Sequence, residues 1–508
     1  MQLSTLDIIV FIGFLILVWT VSFWASRKEE NSEDYFLAGR DLKWWLIGMS
    51  LIASNISTEH FVGMAGRGFE LGLAIASYEW MAAVTLVLVA IFLLPKFLKS
   101  GIFTIPEFLE YRYNSTARTI MAVFILAMYV LVALSSILYS GALAFASIFD
   151  LNLTLVVWLI GISVGVYTIY GGLKAVVWSD MIQGTTLILG GVIITFLGFQ
   201  KIGGLKKFIE LSGDKLHTVL PYDHPEMPWV AVFVGGLWIP NIFYWGLNQF
   251  ITQRTLAAKS LAEGQKGILF AALIKLFIPF IIVFPGIMAY ELYGNEIPSG
   301  DAAYPYLIKN ILPAGLRGLM FAALFGAVMS SVDSLLNSAS TIFSIDIYKR
   351  FINKEVTTNN LVKIGRITTA TLVIFGCLWA PYIGEFKSVF EYIQKFQGFI
   401  SPGIVSVFIM GIAWKKVPAN AAIAAMLLNI PIYGFLLWLL PDVAFLHHMM
   451  ITFLALVTVI TTITLVAPQR QPVVFPVLEQ FNDTTAPSIK IMGVLLIISV
   501  AALYIMFF

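Results

Sequence analysis

Apolar residues fill this chain in long blocks, and short polar stretches divide them. A helix that crosses a bilayer needs roughly 20 mostly apolar residues. That ruler predicts about fourteen spans, centred near residues 15, 55, 85, 133, 162, 186, 243, 279, 329, 372, 400, 429, 456 and 498. The predicted fold class is an all-α polytopic membrane protein. Two spans carry polar interruptions. The second begins near Trp44 and contains LIASNISTEHF at 51–61, where Asn55, Ser57, Thr58, Glu59 and His60 interrupt the apolar run. The seventh, VGGLWIPNIFYWGLNQFITQR, holds Pro240 and Asn241 in its middle and Asn248 and Gln249 below. Proline removes a backbone donor, and backbone groups freed at a break must face a cavity, an ion or a solute rather than lipid.

Spans five apart run in opposite directions. Broken helices at matching positions of two inverted halves point to a transporter's binding site. The predicted organisation is therefore an extra N-terminal span over 1–30 and a first five-span repeat over 42–200, broken near 53–58. An external loop at 201–228 follows, in which the amphipathic run KKFIELSG predicts a small surface helix. A second repeat covers 229–414, broken near 240–245, and three accessory spans cover 415–508. The half-apolar segment 101–120 reads as an interfacial helix leading into the fourth span.

Composition agrees with a bilayer as the chain's solvent. Of 508 residues, 59% are hydrophobic and 12% charged, with mean hydropathy +0.89; a soluble domain is about 25% charged. A net charge of +2 argues against a nucleic-acid partner. The one cysteine, Cys377, excludes an intramolecular disulfide, and no Cys/His cluster has zinc spacing. Arg27, Lys28, Arg40 and Lys43 follow the first span, so the positive-inside rule puts the N-terminus outside. An even number of spans returns the C-terminus to the same side, in a cell membrane. The basic cluster Lys349, Arg350, Lys354, Lys363 and Arg366 then lies inside; Lys201, Lys206, Lys207 and Lys215 are the exception. Nothing in the sequence signals an oligomeric state.

Ionisable and amide groups inside spans are functional candidates. Glu79, Lys275 and Gln394, with His60 and Asn241, offer donors and acceptors in many directions beside aromatic rings. Sugars need that mixture, because each hydroxyl donates and accepts while the C–H face stacks on a ring. In FGAVMSSVDSLLNSAS, Ser330, Asp333, Ser334 and Asn337 share one helix face. Hydroxyl and carbonyl oxygens suit a small hard cation, and the broken second span supplies the carbonyls of Ala53 and Ile56. Asp180 is another carboxylate inside a span. No nucleophile–base pair or metal motif marks an enzyme.

Several stretches carry a resemblance that covers nearly the whole chain: EDYFLAGRDLKWW at 33–45, ASNIS at 53–57, GLAIASYEWM at 72–81, YTIYGGLKAVVWSDMIQ at 167–183, NIFYWG at 241–246, QRTLAAKS at 253–260, SSVDSLLNSASTIFSIDIYK at 330–349 and YIQKFQGFISPG at 392–403. The chain resembles the solute:sodium symporter family, and within it the sodium/sugar cotransporters. The resemblance implies a LeuT-type five-plus-five inverted-repeat core, alternating access, and sodium-coupled import of a monosaccharide such as galactose or glucose. Myo-inositol, a monocarboxylate or an amino acid are the alternative solutes. It implies that His60, Glu79, Asn241, Lys275 and Gln394 bind the sugar. Tyr244, braced by Asn55, closes the inside, and Met64, Tyr78 and Phe390 form an apolar outer gate. Ala53, Ile56, Ala327, Ser330 and Ser331 hold sodium, and Asp180, Asp333 and Ser334 are a candidate second sodium site. A bacterial galactose carrier of the family has Gln in place of His60 and Ser in place of Ala82.

Overall fold

A computed structural model describes residues 4–26, 31–149, 151–385, 389–470, 473, 475–481 and 484–508. The described chain is helical almost throughout. Twelve of its helices are long and apolar enough to cross a membrane, and two features raise the number of crossings to that expected. Leu153–Ile202 is 50 residues long, about 75 Å at 1.5 Å per residue and far more than a bilayer core of about 30 Å. It folds back at Gly172, whose φ of +49° and ψ of −155° suit glycine alone; a Cβ there would stand 2.4 Å from the Tyr35 carbonyl oxygen. The second span is the other case. It is divided into Trp44–Asn55, Glu59–Met64 and Ala65–Leu71, each too short to cross alone.

The ninth span, Leu316–Ile352, is the centre of the molecule: 94% of its most apolar window is buried, against 22% for the first span, Thr5–Ala25. Its closest neighbour is the Leu153–Ile202 helix pair, and the second span packs between that pair and the eighth span, Leu261–Tyr293. The small residues of the ninth span allow this close approach. The twelfth to fourteenth spans, Ala419–Leu439, Phe445–Val466 and Pro487–Met506, are mostly exposed at the periphery.

Both interruptions exist, and the second has two parts: the helix Trp229–Phe233 ends before Pro240, with turns over 234–237, and a further stop follows at Asn248. In the second span the α-helical ladder ends with the Ile56 N–H bonded to the Ile52 carbonyl at 2.8 Å, and Ile56 turns extended. Ser57 Oγ accepts from the Glu59 N–H at 3.2 Å, as a broken backbone requires. Thr58 Oγ1 has no partner among the described residues. In the seventh span Pro240 sits inside the short helix Trp238–Ile242. It is the third residue of that helix, where a backbone N–H has no intrahelical partner anyway, so the ring costs the helix little. The helix continues as a wide π turn over Phe243–Leu247 and stops at Asn248 (φ −90°, ψ 118°). Gln249–Leu256 then starts afresh, its first N–H groups met by side chains: Phe250 N–H donates to Tyr129 Oη at 2.7 Å and to Asn248 Oδ1 at 3.2 Å. Other π turns occupy Glu59–Met64, Val89–Leu93, Met128–Ala133 and Phe343–Ile352. The expected surface helix forms at Leu205–Leu211, and the expected interfacial helix is shorter, Ile105–Arg112.

Candidate functional site

The interruptions of the second and seventh spans meet. Asn55, the last helical residue before the first break, donates through Nδ2 to Tyr244 Oη at 3.2 Å. Its carbonyl oxygen, Oδ1, accepts from Lys275 Nζ of the eighth span. Lys275 also contacts Glu79 Oε2 at 2.5 Å, and Glu79 Oε1 stands 3.5 Å from His60 Nε2. A polar chain thus runs Tyr244–Asn55–Lys275–Glu79–His60 through the middle of an apolar protein. Lys275 is fully buried rather than reaching for a membrane surface. Its ammonium lies 4.8 Å from the centre of the Trp245 ring, so charge and ring face both hold it.

This chain borders a cavity of about 200 Å³, small enough to select a compact solute. Asn55, Glu59, His60, Glu79, Asn241 and Tyr244 line it, with Met64 and Tyr78 on its wall. Of the residues expected at the solute and its gates, the side chains of Gln394 and Phe390 lie outside the described residues. Gln397 and Ile393, of the same span, line the cavity. Ala82 lines it too, in place of a hydroxyl. Asn241 Nδ2 and His60 Nδ1 are buried without a partner among the described residues.

Beside the first break, Ser331 Oγ donates to the Ser54 carbonyl at 3.3 Å, so the ninth span faces the open end of the second. Ala53, Ile56 and Ala327 are each 1% exposed, and Ser330 and Ser331 are fully buried. Ser330 is turned toward Asp180, with Oγ 2.5 Å from Oδ1. Asp180 also accepts from Ser50 Oγ and, at 3.1 Å, from Ser54 Oγ. Asp333 accepts from Tyr167 Oη, from Ser179 Oγ at 3.4 Å and from Ser334 Oγ at 3.3 Å. Ser334 and Ser54 join the two carboxylates, their hydroxyls 2.8 Å apart.

Sequence reasoning missed Arg254, which the structure places at this centre. Fully buried, it donates to the Ser50 carbonyl at 2.7 Å, to Ser54 Oγ and to the Phe250 carbonyl at 3.0 Å, and it stands 3.7 Å from Asp180 Oδ2. It lies within QRTLAAKS, at the end of a span where an arginine ordinarily reads as a headgroup contact. The usable signal was its neighbour: Gln253 is also buried, bonded to the Phe36 carbonyl and to Ser338 and Thr341 of the ninth span. Trp245 was missed for a different reason, since aromatic rings are common in spans and only the fold sets one against Lys275.

Comparison with known proteins agrees with this architecture. The profile of the Sodium:solute symporter family matches residues 35–429. The sodium/glucose cotransporter of Vibrio parahaemolyticus is 43% identical over 488 residues, covering 90% of each chain. The sodium/myo-inositol cotransporter 2 of Sus scrofa is 33% identical over 468 residues, covering 84% of this chain and 69% of its own. Among solved structures, a substrate-bound, outward-open Na+-coupled sialic acid symporter superposes with a TM-score of 0.85 at 23% identity, covering 93% of this chain and 100% of its own. With a matched region that spans both interrupted helices and the ninth span between which the site lies, the chain belongs to the sodium:solute symporter family.

Proposed function

We propose that this protein imports a hexose, glucose or galactose, driven by sodium through alternating access. The observation that carries the reading is the buried polar chain from Tyr244 to His60, which borders a compact cavity lined by both interrupted spans. A solute of many hydroxyls finds an acceptor at Glu79, a donor at Asn241, and rings at Tyr244 and Trp245 to stack on, while Lys275, off the cavity wall, orients Glu79 from behind. The similarity to a sodium/glucose cotransporter supports the same class. Gln394 completes the proposed contact set. Met64, Tyr78 and Phe390 close the outer side, and Tyr244 held by Asn55 the inner. Similarity to a sodium/myo-inositol cotransporter favours a cyclic polyol as second reading.

Sodium binds, in this reading, to the carbonyls of Ala53, Ile56 and Ala327 and the hydroxyls of Ser330 and Ser331. Oxygen donors of this kind suit a hard monovalent cation. The ion bridges the second and ninth spans and holds the outward form; only a difference in its affinity for two states can drive a cycle. A second sodium sits at Asp333, Ser334 and Asp180. Among the described residues Arg254 is the one cation within 4 Å of either carboxylate, and it pairs with Asp180, not Asp333. The chain lies in the cell membrane with the two repeats at 42–200 and 229–414 and both termini outside.

The deciding experiment is uptake of labelled glucose, galactose and myo-inositol into proteoliposomes with an inward sodium gradient. The expected result is accumulation of a hexose that collapses when potassium replaces sodium. Equal uptake in both salts, or no hexose uptake, overturns the reading.

A further inference from the structure

Glu59 takes no part in the polar chain described above, yet it lines the same cavity. Its Oε1 is buried and meets no hydrogen-bond donor among the described residues. Two other atoms of the cavity are in the same condition, His60 Nδ1 and Asn241 Nδ2. Buried polar groups are nearly always satisfied, so three orphaned atoms around one cavity mark the places a bound molecule must fill. Asn241 Nδ2 is a donor and calls for an acceptor. A carboxylate oxygen calls for a donor.

The charges around the cavity add a second constraint. Glu79 is neutralised by Lys275 at 2.5 Å. Arg67, on the cavity wall, is paired with Glu70 at 2.5 Å and with Glu226. No lysine or arginine lies within 4 Å of Glu59 among the described residues. One carboxyl group with no cation beside it therefore remains in the cavity. When ionised it repels a solute that carries a carboxylate of its own, because like charges brought together out of water are strongly unfavourable.

Resting on the hexose reading, we propose that Glu59 touches the bound solute, accepts hydrogen bonds from it and sets its charge class, admitting neutral and amine-bearing polyols and excluding carboxylate-bearing ones. Glu59 is thus a specificity determinant one residue before His60, on the first π turn after the break.

The test compares wild type, Glu59→Gln and Glu59→Asp in proteoliposomes at pH 8, where the carboxyl is ionised. Sodium-driven uptake of labelled glucose is measured with glucosamine or glucuronate as competitor. In wild type, glucosamine inhibits at concentrations at least about tenfold lower than glucuronate, the scale of one charge-assisted hydrogen bond. Glu59→Gln brings the two within about twofold and raises the glucose KM. Glu59→Asp keeps the charge but shortens the reach, so the ranking survives while the KM rises. Sodium-dependent thermal shifts identify folded protein, and the Asp variant carries the comparison should the Gln variant not fold. An unchanged ranking in Glu59→Gln, an unchanged KM in Glu59→Asp, or a wild type that accepts glucuronate as readily as glucosamine overturns the proposal. A wild type that moves no hexose at all overturns the hexose reading itself, and is seen before any variant is made.

Discussion

At the scale of residues, the most consequential side chain is Arg254, because four groups from three elements converge on one buried guanidinium. Removing one partner of a buried ion pair costs about 3–5 kcal/mol, since the other charge is left bare. Arg254→Met is expected to lose stability on that scale. Arg254→Lys recovers only part of it, because an ammonium cannot reproduce a planar fork of donors; thermal unfolding in detergent measures both. Tyr244→Phe should be milder in stability, about 1 kcal/mol for one hydrogen bond. Its larger effect is on retention: solute loaded into proteoliposomes should leak faster once the phenol no longer holds Asn55, and equal efflux rates would remove Tyr244 as a gate. The sequence showed residues whose chemistry is odd for a membrane, such as Glu79 and Lys275. It did not show residues whose chemistry is ordinary at a span end, such as Arg254, nor that Ser54 and Ser334 join Asp180 to Asp333, because those depend on which faces meet.

At the scale of elements, the periodicity and length of apolar blocks were enough to place the spans, because hydropathy in lipid leaves the backbone few choices. The break in the second span was legible from five polar residues at 55–60. The break in the seventh was expected near 240–245, because proline is the loudest breaker in a sequence; the structure interrupts the helix on either side of Pro240, over 234–237 and at Asn248, whose side chain caps the next helix. The turn at Gly172 was legible only as a boundary between two spans. Gly172→Ala is expected to destabilise the protein by about 1–3 kcal/mol, since the backbone conformation is forbidden to alanine and the Tyr35 carbonyl occupies the space of a methyl. A thermal midpoint equal to wild type would show that the corner can open without cost.

At the scale of the whole molecule, the coupling ratio sets what the protein can accumulate. One charge moved through 100 mV releases about 2.3 kcal/mol, roughly a 50-fold solute gradient before the sodium gradient is counted. The proposed second sodium at Asp333 would square that factor. Wild type is expected to carry two sodium ions per solute and Asp333→Ala one, read from reversal potentials in proteoliposomes; a ratio of one in wild type removes the second site. The side assigned to each terminus is open to a simple check, because Cys377 is buried and gives a quiet background for cysteines introduced at residues 4 and 508. An impermeant maleimide should label both from outside intact cells. The π turn over Met128–Ala133 has a consequence of another kind. It holds one residue more than an α-helical turn, and Met128, Tyr129 and Val132 within it face the cavity. Deleting a single codon there would leave a helix long and greasy enough for the insertion machinery, yet rotate everything on one side of the cut by about 100° about the helix axis. The machinery that threads this chain into a bilayer counts length and greasiness, whereas the carrier depends on angular phase. A one-residue deletion at this turn should therefore yield a protein that is inserted in full and carries nothing.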